Sequence, residues 1–74
     1  MSVITNKVIA VSKPYLGPAT EAFLGRQCKL FLKIEMDALS STHLKELADC
    51  FEVGGRAIME PAKATELAKK IAAL

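Results

Sequence analysis

Seventy-four residues make a single domain, 1–74, that can bury only about 60% of its unfolded surface, and a composition of 51% hydrophobic and 24% charged residues excludes a disordered chain. A formal net charge of +2 is low for a domain making several phosphate contacts, because each neutralised phosphate needs a cation. Two cysteines are too few for a disulfide framework, and no stretch approaches the roughly 20 apolar residues that cross a bilayer.

The N-terminal run MSVITNKVIAVSK is interrupted by Asn6 and Lys7 before it forms a secretory core, so the expectation is a cytoplasmic protein with reduced Cys28 and Cys50 and no membrane span. Charge is unevenly placed. Residues 1–33 carry Lys7, Lys13, Arg26, Lys29 and Lys33 against Glu21 alone, whereas residues 34–74 carry five basic and seven acidic side chains. So much apolar side chain on so small a body leaves a remainder outside, which predicts a homo-oligomer, in its simplest form a homodimer.

Residues 3–13 are rich in β-branched side chains that suit a strand, but no second strand-like run is present to pair with them. The reading is a helix over 3–13 with Ile4, Val8 and Val11 on the buried face, stopped before Pro14 because the residue preceding proline is pushed out of the α region. A strand swapped between subunits is the alternative. Gly17 and Pro18 then mark the start of a helix over 18–33. On it Phe23, Leu24, Cys28, Leu30 and Phe31 share one broad face, and Arg26, Lys29 and Lys33 recur at i, i+3 and i+7 on the other.

IEMDALSS reads as a connection ending in an N-cap at Ser40 or Ser41, and Leu44, Leu47, Ala48 and Phe51 form the clearest helical stripe of a helix over 41–53. Gly54 and Gly55 predict its stop, one of them in the left-handed conformation. Ile58 and Met59 are expected as apolar anchors under the loop. Pro61 opens a last helix over 61–73, with Ala64, Leu67, Ile71 and Leu74 inside and Glu66–Lys70 as an outer i, i+4 pair. The fold class expected is all-α, a small four-helix bundle or an orthogonal helical array.

Chemistry-bearing residues are sparse. His43, Glu46 and Cys50 lie at i, i+3 and i+7, and Cys28 would complete a Cys2His set, but no CxxC, HxxxH or HExxH spacing is present. A buried small hydrophobe is the commoner role of a free cysteine, so no metal and no cofactor is expected. The glycines do not follow the phosphate-loop pattern, and Pro18 beside Gly17 removes a backbone donor such a loop uses. No nucleophile, base and oxyanion donor occur together, so no enzymatic activity is expected. The basic stripe Arg26, Lys29 and Lys33 is the candidate for a nucleic-acid accessory role. ATELAKKIAAL looks like the first half of a helix-turn-helix, but no recognition helix follows it in the chain.

Residues 15–28, YLGPATEAFLGRQC, resemble a motif of small helical modules in bacterial proteins, including extensions appended to some bacterial serine/threonine kinases, in which a tyrosine–apolar–Gly–Pro turn leads into an amphipathic helix. The resemblance rests on Tyr15, Gly17 and Pro18 and covers about a fifth of the chain. It implies a bacterial regulatory or scaffolding module without a catalytic site. The functional expectation is therefore a protein–protein interaction or scaffolding module that self-associates, with Tyr15 and Phe31 as anchors because aromatic residues are enriched at binding hot spots. Nucleic-acid binding through Arg26, Lys29 and Lys33 is the alternative.

Overall fold

The computed structural model describes residues 2–74, and among these it contains four α-helices and no strand: α1 (Val3–Leu16), α2 (Thr20–Gln27), α3 (Leu44–Gly55) and α4 (Pro61–Ala72). The body measures 28 × 21 × 20 Å.

Helix α1 is capped by Ser2, whose Oγ accepts the Thr5 N–H at 3.0 Å. Its inward residues are Thr5, Val8 and Ser12, with Ile4 and Val11 half-buried at the margins, so burial overrides the strand preference of its β-branched side chains. Ser2 Oγ donates to the Leu39 carbonyl at 2.8 Å and Thr5 Oγ1 donates to the Met36 carbonyl, which ties the connection between the second and third helices across the start of α1. The helix does not stop before Pro14, as expected, but runs through it to Leu16. A proline in the last turn forfeits one backbone bond, and in return the turn packs Tyr15 and Leu16 against the core. The stop comes at Gly17, whose φ of 57° and ψ of −133° lie where an L side chain is strained, and whose N–H bonds to the Lys13 carbonyl.

The stretch expected as one regular helix over 18–33 is three segments. Gly17–Ala19 form a 3₁₀ turn, α2 follows, and Cys28–Leu32 continue as a π-helical turn. Thr20 Oγ1 secures the entry by donating to the Gly17 carbonyl at 2.6 Å. At the exit Lys33 takes a left-handed conformation with φ of 59°, and the Cys28 carbonyl accepts both the Lys33 and the Ile34 N–H groups. This changes which residues are inside. Leu24 and Cys28 are buried and Phe23 is half-buried, but Leu30 and Phe31 are 56% and 59% exposed, contrary to the expected shared face. Bonding from i to i+5 advances each residue by less than the roughly 100° of an α-helix, so side chains after Cys28 lag behind the buried direction.

Ser40 and His43 form a capping box at the start of the third helix, with the Ser40 N–H donating to His43 Nδ1 at 3.1 Å, and a 3₁₀ turn at Ser41–His43 leads into α3. Leu44, Leu47, Ala48 and Phe51 are all buried, as their spacing predicts. The Phe51 ring meets the Phe23 ring edge-on, 4.9 Å between centroids and 87° between planes. Gly54 and Gly55 do not take a left-handed stop; they form the last turn of α3. Their role is close approach. A Cβ on Gly54 would stand 3.0 Å from Gln27 Nε2 and 3.2 Å from the Phe23 ring, and one on Gly55 would stand 3.2 Å from Ala64 Cβ.

The turn into α4 closes on the Gly55 carbonyl, which accepts the Ile58 and Met59 N–H groups at 3.0 and 2.8 Å. Met59 packs against the core, whereas Ile58 points outward at 58% exposure, so only one of the two expected anchors is an anchor. Ala64, Leu67, Ala68 and Ile71 bury one face of α4 against α3; Leu74, expected inside, lies beyond the helix end and is exposed. Thr65 Oγ1 donates to Glu52 Oε2 at 2.9 Å and links the two helices at their polar margin.

Two substitutions at the positive-φ positions test this backbone. Gly17→Ala has open space for its methyl group but forces an L-residue into a disfavoured conformation, and is expected to cost about 1–2 kcal/mol in thermal unfolding. Lys33→Gly removes the cost of a side chain in the left-handed helical region, which Lys33 occupies, and is expected to stabilise by about 0.5–1 kcal/mol.

Candidate functional site

Among the described residues, two concavities stand out on the surface. The first is a groove of about 430 Å³ between the second helical stretch and α3. One wall carries Arg26, Gln27, Leu30 and Phe31, the other Asp49, Cys50, Val53 and Gly54, each at i, i+1, i+4 and i+5, so two helix faces lie side by side. The groove is apolar, and Leu30, Phe31 and Val53 (70% exposed) leave it uncovered. Gly54 sets its depth, because the absent side chain lets the Gln27 amide lie against α3. Gln27 is 5% exposed and its Oε1 has no hydrogen-bond partner, an omission that ordinarily costs about 1–3 kcal/mol. Arg26 and Asp49 stand on opposite walls with opposite charge.

Cys50 lines the groove and Cys28 lies buried in the core, and both thiols are weak nucleophiles. Burial, and then the neighbouring Cys50, push the Cys28 thiol up to about 11; burial, then Asp49 and Glu46, raise the Cys50 thiol. Both shifts reduce the thiolate fraction at neutral pH, and the thiolate is the form that attacks. Both cysteines are free. His43 is occupied in the helix cap, and no cluster of three or more potential metal ligands occurs among the described residues.

The second concavity, also about 430 Å³, lies where the end of α1 meets α4 and is edged by Tyr15, Met59, Lys63, Glu66 and Lys70. The Tyr15 hydroxyl donates to Glu66 Oε2, and Lys70 Nζ sits 5.1 Å from the centre of the Tyr15 ring. The tyrosine thus inserts between the expected Glu66–Lys70 pair. Its hydrogen bond holds the Glu66 carboxyl below its ordinary value, with Lys70 and Lys63 acting in the same direction, and Tyr15 also raises the Lys70 ammonium. Tyr15 locks α1 to α4.

The residues singled out in the sequence are therefore divided. Phe31 and Arg26 meet at the groove, and Tyr15 belongs to the α1–α4 corner. Lys29 is exposed and pairs with Glu35 at 3.8 Å, and Lys33 lies past the π turn, so the i, i+3, i+7 register of the basic stripe is broken by the change of helix type. The sequence reading did not find Asp49, Gln27 and Val53. Val53 carried a signal: it is an aliphatic residue off the stripe formed by Leu44, Leu47, Ala48 and Phe51. No helix among the described residues is long and apolar enough to cross a membrane.

The Tyr15–Glu66 contact gives a pH prediction. Because the folded state lowers the Glu66 carboxyl, its stabilising contribution is present above the ordinary carboxylate value and is lost as pH falls through the lowered one. Wild type should melt higher than Glu66→Gln at neutral pH, and the gap should narrow as pH falls below the ordinary carboxylate value and close once the lowered one is passed. Comparison of the chain with protein-family models, with curated proteins and with solved structures finds no match.

Proposed function

We propose that this chain is a protein-binding or scaffolding module that acts by contact and by self-association, without a catalytic step of its own, in the bacterial cytoplasm. The observation that carries the reading is the uncovered apolar groove with Leu30, Phe31 and Val53 exposed around it. A chain of 74 residues that is 51% hydrophobic carries more apolar side chain than its small core holds, and contiguous exposed apolar residues at a concavity favour association with another protein. Phe31 is the anchor of this face, and Arg26 stands at its rim. The two free thiols favour a reducing compartment, and the resemblance of residues 15–28 to bacterial helical modules supports a bacterial regulatory or scaffolding role.

Nucleic-acid binding through Arg26, Lys29 and Lys33 is the competing reading, and one pair of measurements separates the two. Light scattering is expected to show a mass that rises with protein concentration, while titration with duplex DNA or RNA at two salt concentrations shows no salt-sensitive binding. Micromolar, salt-sensitive binding that is abolished by reversing those three charges would overturn the proposal.

A further inference from the structure

We infer that the groove between the second helical stretch and α3 receives a second copy of this chain, related by a two-fold axis, with Phe31 and Leu30 of each protomer covering the groove of the other and each Arg26 facing the partner's Asp49. This rests on the self-association proposed above and specifies its face, symmetry and charge contacts.

Three observations point to a second copy rather than a different protein. First, the groove carries one cation and one anion on opposite walls, and among the described residues neither Arg26 nor Asp49 has an ion-pair partner within the chain. A face selecting an acidic or a basic partner would carry one sign. A face with both is complementary to itself, because a two-fold rotation that brings Arg26 to the partner's Asp49 makes the reciprocal contact at the same time. Second, the face holds both halves of an apolar contact, since Leu30 and Phe31 project beside the groove that such side chains fill. Third, the chain is large enough for such a contact: a standard interface takes roughly 800 Å² from each partner, close to a fifth of the 4402 Å² surface of this chain. Cys50 lines the groove and Cys28 lies buried, so the chain contains a local reporter and an internal reference.

Sedimentation equilibrium of the full chain tests the inference. Wild type is expected to be a dimer. Arg26→Asp and Asp49→Arg alone are each expected to weaken it at least about tenfold, and the two reversals together to restore it, because the pair is re-formed with its signs exchanged. Phe31→Glu is expected to give a monomer with unchanged far-UV circular dichroism, since Phe31 is mostly outside the fold; Val53→Lys serves as the second disruption of the same face. At a mildly alkaline pH that supplies enough Cys50 thiolate, its alkylation should slow as protein concentration rises, while buried Cys28 stays unreactive until unfolding. A dimer indifferent to all these changes overturns the assigned face and leaves self-association standing; a monomer at every concentration overturns both. Failure of the double reversal to restore association overturns the two-fold charge pairing.

Discussion

Burial of one face of α3 is the constraint on which the fold depends. Leu44, Leu47, Ala48 and Phe51 have no exposure to spare, and α4 covers them with the matching face of Ala64, Leu67, Ala68 and Ile71. Phe51 is the largest fully buried side chain. Its burial is worth about 1.5–3 kcal/mol and its edge-on contact with Phe23 about 0.5–1.5 kcal/mol more. A domain of this length is stable by about 4–11 kcal/mol in all, so this one residue carries a large share of the margin. The glycine pair at the end of α3 serves the same constraint, because Gly54 admits Phe23 and Gln27 from one side and Gly55 admits Ala64 from the other.

The surface proposed to act follows from how that constraint is met. The core has room for Leu24 and Cys28 but not for every apolar residue of the second helical stretch, and the π turn at Cys28–Leu32 is the backbone device that turns Leu30 and Phe31 outward. Opposite them, Val53 lies on the side of α3 that α4 does not cover. The two exposures meet at one groove because Gly54 brings the helices together there. Local π geometry is frequent at functional sites, and here it converts residues of apparent core character into an exposed face.

Much of the helical architecture was legible from spacing. The stripe on α3, the inner face of α4, the Ser40 cap and the start at Pro61 all follow from local chemistry that tertiary structure had no reason to oppose. Failures occurred where a tertiary contact outweighed a local rule. Pro14 did not end α1, because the extra turn seats Tyr15 on Glu66 and Leu16 on the core. Gly54 and Gly55 read as a stop, yet their small size was needed for packing and their freedom at positive φ was not. Leu30 and Phe31 were assigned inward on a 3.6-residue period that the chain abandons at Cys28, and nothing in the residue types of CKLFL announces a change of period. The groove was illegible for that reason, although the aromatic residue and the arginine that edge it were both picked out.

The measurement that most directly tests the central claim, that the protein works through the α2–α3 groove, is a dilution series of backbone amide chemical shifts on the isotope-labelled chain. The account predicts concentration-dependent shifts confined to residues 26–31 and 49–54, with the Tyr15–Glu66 corner unmoved. Shifts centred on that corner, or none over the whole series, would contradict it.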